Sequence, residues 1–306
     1  MSTSDMHILL TGGGGYVGMS LLPLLLNSGY GVTLLDPLYR GGLEPLLPFF
    51  RNSNFSLIKD DMCDEGVIEN ALTNVDAVIH MAAVVGYPAC QREPDRTEKL
   101  NVAATEKLCR LAGNRPLIFT STGSCYGVIK GGLCTENTPL NPVSLYGTSK
   151  VQGENLVLSI ANGTVLRFAT AYGLSPVMRI DLLLNHLTMM AVQSRKLSIY
   201  EPSARRTFIH VEDMARSILF TLNNYNRMAG EAWNVGTEEQ NLTKREICLH
   251  LAKLIPDLEL DFEAEGSDPD ARDYAVSYEK IRSIGFETEV PLKEGMEELI
   301  RAYHFF

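Results

Sequence analysis

"LLTGGGGYVGMSLLPLLLNSG", residues 9–29, decides the fold of this 306-residue chain. An apolar run ends at Thr11, glycines follow at once, and a helical pattern begins. Gly12, Gly15 and Gly18 lie three apart, a G-x-x-G-x-x-G spacing. Glycine suits a loop whose backbone must approach a pyrophosphate closely, beside a helix N-terminus with free N–H groups and a positive dipole end. Taken alone, a glycine triplet is also what a flexible turn requires. The context selects between the two readings. Strand, loop and helix come in the right order, and Asp36 closes the second apolar run 18 residues after Gly18. A carboxylate there accepts hydrogen bonds from an adenosine ribose and repels a 2′-phosphate. The loop therefore predicts a dinucleotide, with NAD preferred over NADP; Arg40 is the one nearby feature arguing otherwise.

Working outward, short β-rich runs alternate with longer amphipathic stretches. The expected strands are "HILLTG" (7–12), "GVTLLD" (31–36), "FSLIKD" (55–60), "DAVIHMAA" (76–83), "PLIFTST" (116–122) and "TVLRFA" (164–169). Most are near-continuous apolar runs, as expected for strands covered on both faces. Helices are expected near 15–28, 65–73, 97–113 and 145–161. Such alternation predicts an α/β fold with a doubly wound parallel sheet of Rossmann type. After Gly173 the pattern loosens into a helix near 180–194, a strand running into a helix in "FIHVEDMARSILFTL", and the short strand "AWNVG". We therefore expect a nucleotide-binding domain over 1–173, with 207–236 packing back on it, and a smaller C-terminal α/β substrate lobe over 174–306.

Composition narrows the function. A net charge of −10, with both signs interspersed, disfavours nucleic acid and anionic membranes as partners. The six cysteines form no C-x-x-C and no Cys/His cluster, so no metal site is expected, and reduced thiols fit a cytoplasmic protein. No signal peptide is recognisable, because the apolar stretch at His7–Leu10 runs straight into glycines. No apolar run approaches the roughly 20 residues that span a bilayer.

Two Tyr-x-x-x-Lys strings compete for a catalytic role: Tyr126–Lys130 in "CYGVIKGG" and Tyr146–Lys150 in "LYGTSKVQGEN". Such a string arises by chance about once in two chains of this size. On a helix, positions i and i+4 share a face, so an ammonium can sit near a phenol. Pro142 and Ser144 are helix-start signals ahead of Tyr146, whereas Gly127, Gly131 and Gly132 break the other segment. Tyr146–Lys150 is thus the candidate pair. A tyrosine is a poor base at its ordinary pKa of about 10; a nearby ammonium and an oxidised nicotinamide would favour the phenolate. Thr122, ending the fifth strand, offers a hydroxyl to hold the substrate oxygen.

These ordered motifs resemble the extended short-chain dehydrogenase/reductases, in particular the nucleotide-sugar epimerases and dehydratases, over nearly the whole chain. "TGGGGYVG" is similar to the family's glycine loop, which implies Gly12, Gly15, Tyr16, Val17 and Gly18 at the cofactor. "DDMCD" resembles the adenine-contacting segment, implying Asp61 and Met62; "HMAA" the strand-end motif, implying Met81, Ala82 and Ala83; and Asn101 in "KLNVAAT" the asparagine that supports the lysine through water. "STGSCYG" resembles the Ser/Thr segment, implying Thr122, Gly123 and Ser124 at the substrate, with Tyr146 and Lys150 as the catalytic pair. By the same resemblance Asn185, Arg206 and Arg272 would contact the donor's diphosphate, and Arg179 is a further phosphate or sugar contact. Thr170 stands where many members carry asparagine, which puts that contact in doubt. His80 and His210 read as structural, and Cys90 as a loop residue without a base to activate it.

The resemblance implies an NAD-dependent enzyme acting on a nucleotide-diphosphate sugar, as a homodimer. Three outcomes share one first step, oxidation at a sugar carbon, usually C4. Epimerases return the hydride to the other face, dehydrogenases release the ketone, and 4,6-dehydratases eliminate water. The family's dehydratases carry an Asp–Glu pair directly after the catalytic Thr, where this chain has Gly123 and Ser124. Water loss is therefore not expected, and epimerase, the broadest activity of the family, is the leading expectation. The alternative is a 4-dehydrogenase of GDP-heptose or a similar nucleotide sugar, suggested by "AAVVGYPACQREP" and "DPDARDYAVS". A non-catalytic NAD-binding regulator would be expected to lose the tyrosine or the lysine, and both are present.

Overall fold

The computed structural model describes residues 6–266 and 272–306. Seven parallel strands form the main sheet: β1 (His7–Thr11), β2 (Gly31–Leu35), β3 (Phe55–Ile58), β4 (Ala77–His80), β5 (Leu117–Thr122), β7 (Gly163–Phe168) and β11 (Ala232–Val235). Their order is β11-β7-β5-β4-β1-β2-β3. The chain thus runs outward through β2 and β3, then returns past β1 to β4. That reversal leaves a crevice at the carboxyl ends of β1 and β4, where open α/β sheets bind ligands. The remaining strands are β6 (Val128–Cys134), β8 (Thr170–Tyr172), β9 (Lys196–Ser198), β10 (Arg205–His210), β12 (Asn241–Thr243), β13 (Glu259–Asp261) and β14 (Asp273–Val276). They make a three-stranded sheet β12-β10-β8 and the pairs β13-β9 and β14-β6.

Alternation along each strand explains the continuous apolar runs. Ile8 and Leu10 point into one core, while Leu9 points into another. Ala77 and Ile79 likewise oppose Val78, and Leu166 opposes Val165. Both faces are covered, so most positions of a strand are apolar and the polar exceptions need partners. The first core is filled from α1 (Gly18–Asn27) and α8 (Val211–Asn223). The second takes side chains from α2 (Glu65–Ala71), α3 (Tyr87–Arg92), α5 (Ala104–Ala112) and α6 (Leu145–Leu158). Each fully buried leucine contributes about 1.5–3 kcal/mol relative to exposure. Leu9→Asp is thus the kind of single change that would break the second core.

The helix expected over 97–113 is interrupted. It comprises α4 (Pro94–Thr97), a π-helical turn at Glu98–Ala103, and α5. The widened turn aims the Asn101 amide at the residues after β4, where its Oδ1 accepts from the Val84 N–H at 2.8 Å. A third apolar cluster joins Leu184 and Leu187 of α7 (Leu183–Ser194), Phe208 of β10, and Leu251 and Leu299 from the helices Lys244–Leu254 and Leu292–Tyr303. Thr243 and Glu246 form a capping box at the start of the first of these two helices. At the sheet edge β11 carries Trp233, the chain's one tryptophan. Its indole N–H donates to Met228 O at 3.0 Å, and the Lys280 ammonium lies 4.1 Å from the ring centroid. Among the described residues no helix is long and apolar enough to cross a membrane, and no group of three or more candidate ligands could hold a metal.

Candidate active site

The three glycines of the first loop have different reasons to be glycine. Gly12 has φ +71, and a side chain there would meet the Ala82 backbone at 2.5 Å, so the loop lies against the end of β4. A Cβ at Gly18 would lie 2.3 Å from the Gly13 carbonyl oxygen, so glycine lets α1 start against its own loop. Gly15 differs. A Cβ there would meet only the Gly12 carbonyl oxygen, at an ordinary 3.5 Å. The polypeptide does not demand glycine at this position, whereas a phosphate lying on the loop would.

Asp36, at the end of β2, accepts from the Gly14 N–H at 2.9 Å and the Leu38 N–H at 2.7 Å. Burial raises its pKa against the pull of these two bonds. Beyond β3, Asp61 accepts from the Cys63 N–H at 3.0 Å and pairs with Arg96 at 3.1 Å. Burial opposes ionisation of Asp61, but those donors win and its pKa falls. Arg96 in turn stacks over Tyr39, 5.0 Å from the ring centroid. Met62 beside Asp61 is buried in the second core, and the Met81 N–H donates to Thr11 O at 3.1 Å. Ala83 follows Ala82 beyond β4 and is only partly buried.

Beneath the loop His80 joins β1 and β4 to α5. Its Nδ1 lies 2.7 Å from Thr11 Oγ1 and its Nε2 2.9 Å from Thr105 Oγ1. Thr105 donates its own proton to Asn101 O at 2.9 Å, so it must accept from Nε2–H, and Nδ1 accepts from Thr11. Burial drives the imidazole pKa down to about 3, so it is neutral. His80 is a structural bridge, as is His210, whose Nε2 lies 2.8 Å from Glu298 Oε1. Cys90 lies on α3, fully buried, with its thiol on Val84 O at 3.4 Å; packing, not a loop over a sugar, accounts for it.

Tyr146 and Lys150 lie one turn apart on α6, which Ser144 caps by accepting from the Gly147 N–H at 3.1 Å. Lys150 is 3% exposed, with its ammonium 3.9 Å from the Phe119 ring centroid. Burial lowers its pKa to about 8, opposed by Cys125, Glu154 and Cys90. Among the described residues the ammonium has no hydrogen-bond acceptor, and neither has the Tyr146 hydroxyl a partner. Burial, then the sulfurs of Cys125 and Cys90, push the phenol above its ordinary pKa; the Arg179 and Arg272 cations pull it back. The protein by itself therefore does not hold the phenolate expected of a ready base, because burial outweighs the local cations. Asn101 braces this helix, donating from Nδ2 to Ser149 Oγ and to Val84 O, each at 3.0 Å.

Thr122 ends β5, and its hydroxyl accepts from the Ser124 N–H at 3.2 Å. A side chain at Gly123 would lie 2.9 Å from the Tyr274 hydroxyl, so Tyr274 would have to shift to admit one. Ser124 Oγ accepts from Arg272, whose carbonyl accepts from Arg206. The two arginines and the Thr122 segment are thus brought together. Thr170 lies on β8, opposite Phe208 of β10. Arg179 is held bidentately by Asp181 at 2.7 and 2.6 Å.

Two expected ligand contacts have their polar groups engaged inside the protein. Asn185 is fully buried; its Oδ1 accepts from the Gly173 N–H at 3.1 Å, and its Nδ2 donates to Arg179 O at 3.0 Å and to Tyr16 at 3.3 Å. The Tyr16 phenol donates to Gly173 O at 2.7 Å, and Ser175 Oγ returns a bond to Tyr16 O at 2.7 Å. Tyr16 and Asn185 thereby latch the glycine loop to Gly173 and α7, while Val17 precedes α1 without a side-chain cap. Sequence reasoning missed Glu154 and Arg167, a buried ion pair under α6 at 2.8 Å. The available signal was a glutamate one further turn along from Lys150.

With this geometry in place, the comparisons are specific. Residues 8–236 match the NAD dependent epimerase/dehydratase family, and the chain belongs to it. It is 28% identical to a dTDP-glucose 4,6-dehydratase of Streptomyces niveus, over 97% of this chain and 93% of that one. It resembles in structure a UDP-glucose 4-epimerase of Thermotoga maritima solved with UDP-glucose: 26% identity, TM-score 0.85, covering 98% of this chain and 99% of that one. A dTDP-glucose 4,6-dehydratase of Bacillus anthracis, solved with NAD, is 25% identical with a TM-score of 0.83, covering 98% of this chain and 96% of that one. The cofactor is NAD. The open cradle at Gly15 and the Lys150 ammonium, without an acceptor among the described residues, both fit it.

Proposed function

We propose that the protein is an NAD-dependent nucleotide-sugar epimerase acting at a sugar carbon, most simply C4. The observation that carries this reading is the polar face of α6: a tyrosine and a buried lysine one turn apart, neither with a hydrogen-bond partner among the described residues. NAD, when bound, accepts a hydride and returns it. Gly12, Gly15 and Gly18 hold its pyrophosphate, Asp36 its adenosine ribose, and Asp61 and Met62 its adenine. Lys150 takes the ribose hydroxyls beside the nicotinamide and lends its charge to Tyr146. Thr122 holds the reacting hydroxyl, and Tyr146 takes its proton. In the lobe 174–306, Arg206 and Arg272 hold the diphosphate, arginine being suited to bidentate phosphate contact. Arg179, close enough to Tyr146 to affect its charge, would be a further phosphate or sugar contact.

The two residues after Thr122 favour epimerisation over dehydration. Elimination needs a base at C5 and an acid at the C6 hydroxyl. Gly123 has no side chain to act as either, and the Ser124 hydroxyl is held by Arg272. The test is to incubate the protein with NAD and UDP-, GDP-, CDP- or dTDP-sugars chosen by thermal shift, and to weigh the products. An unchanged mass with a new epimer is expected. A product lighter by two hydrogens would make it a dehydrogenase, and one lighter by a water would overturn the argument from Gly123 and Ser124.

A further inference from the structure

Beneath the Tyr146–Lys150 face lies a charge that the proposed chemistry does not use. Glu154 continues the same face of α6 one turn beyond Lys150 and is 1% exposed. Its Oε1 accepts from Ser121 Oγ at 2.5 Å and from the Cys125 thiol at 3.5 Å. The Arg167 guanidinium, on β7, donates from Nε at 3.0 Å and from Nη2 at 2.8 Å to Oε2. Arg167 has its own second grip, from Nη1 to the Tyr126 hydroxyl at 3.2 Å and to Glu136 O at 3.1 Å.

A buried ion pair is weak evidence of stabilisation, since apolar residues of the same volume often serve as well or better. Its neighbours suggest another reason for it. Ser121 and Cys125 are the two ends of the segment that presents Thr122, Gly123 and Ser124. One carboxylate therefore grips both ends of the substrate-facing turn and belongs to the helix that carries the base. Facing the Lys150 ammonium are the Phe119 ring from β5, neutral His80 from β4, the thiols of Cys90 from α3 and of Cys125 beyond β5, and Tyr146 and Glu154 from α6 itself. Glu154 is the one full negative charge in that set.

We infer that Glu154 is a positioning residue, which clamps the Thr122 turn to the helix of Tyr146 and Lys150 and keeps a fixed negative charge beneath the lysine. The inference rests on the epimerase reading for its kinetic part only. Without the clamp, Thr122 and Tyr146 drift relative to each other, and a misplacement of about 1 Å can cost as much as 10²-fold in rate. Without the charge, the lysine holds its proton less tightly.

Three variants separate the two effects. Glu154→Gln keeps the shape and removes the charge. Glu154→Asp keeps the charge and withdraws it from Ser121. Glu154→Leu with Arg167→Met removes the whole pair and guards against a fold lost to an unpaired buried arginine. Two readouts are taken: an NMR titration of isotope-labelled Lys150 in the cofactor-free protein, and kcat and KM with the sugar turned over in the screen. We expect the Lys150 midpoint, about 8 in the parent, to fall in the two charge-removing variants and to stay in place in Glu154→Asp. We expect kcat to fall about 10- to 10²-fold in all three, with KM and NAD affinity nearly unchanged. An unmoved Lys150 midpoint in both charge-removing variants overturns the inference, as does a parental kcat in Glu154→Asp and the double variant. If the parent turns over no nucleotide sugar, the epimerase reading fails, and the titration still decides the role of the charge.

Discussion

Tyr126 and Tyr146 begin identical Tyr-x-x-x-Lys strings, and the fold treats them in opposite ways. Tyr126 is fully buried, and its hydroxyl donates to Asn234 Oδ1 at 2.7 Å while accepting from Arg167 at 3.2 Å. The string continues into β6, so its lysine leaves the helical register. Tyr146 stays on a 14-residue helix with its lysine, and its hydroxyl meets no partner among the described residues. Buried polar groups in proteins are nearly always paired. A satisfied phenol is therefore part of the framework. The Tyr146 phenol and the Lys150 ammonium share one face of α6 and, among the described residues, make no hydrogen bond to the framework.

Exchanging the two hydroxyls for hydrogen is the strongest way to break this comparison. Tyr146→Phe should lose about 10²–10⁴ in turnover, as for loss of a general base, and still bind NAD. Tyr126→Phe should keep its turnover within a few-fold but lose about 1–3 kcal/mol in denaturant unfolding, because Asn234 and Arg167 lose a buried partner. If the two variants traded phenotypes, the assignment of the pair would be wrong.

Lys150 sharpens the same contrast through pH. Its pKa is depressed to about 8 in the fold, against 10.5 ordinarily. Between those values the unfolded chain binds more proton than the folded one, so this group makes stability rise with pH from about 8 to about 10.5. Below that window the folded protein bears a constant cost of roughly 3 kcal/mol, at about 1.4 kcal/mol per pKa unit. Lys150→Met should remove this rise, which is read as the difference between the two unfolding-versus-pH curves without NAD. Parallel curves across the window would show that the lysine is not desolvated.

The smallest expected effect lies at the far end of the crevice. Asp36 should hold NAD in preference to NADP, and Asp36→Asn should reduce that preference by about 10-fold, by removing a charge that repels the 2′-phosphate. Dissociation constants for both cofactors measure it. NADP binding as tight as NAD in the parent would contradict the assignment.

These residues also show which parts of the molecule could be read in advance. The glycine spacing, the doubly covered strands and the helical register of Tyr146 and Lys150 all come from short-range patterns, because strand and helix periodicities are local. The π-helical turn at Glu98–Ala103 was not legible; the Asn101 contact that goes with it is to Val84, 17 residues away in sequence. The latch formed by Tyr16 and Asn185 spans 169 residues. Nothing local distinguishes an asparagine that braces a junction from one that faces a phosphate. Glu154 and Arg167 read as ordinary helix and strand charges until both are found buried against Ser121.

Trp233 has a practical consequence. The chain has one indole, packed at the sheet edge on β11 and 4% exposed, on a strand that contributes none of the proposed ligand contacts. Its emission should respond little to direct contact with sugar or nucleotide. Tryptophan emission overlaps the absorption of reduced nicotinamide, however, so energy transfer would dim this single donor whenever the bound cofactor carries a hydride. One fluorophore would thus report the redox state of the bound cofactor during turnover, with no label added.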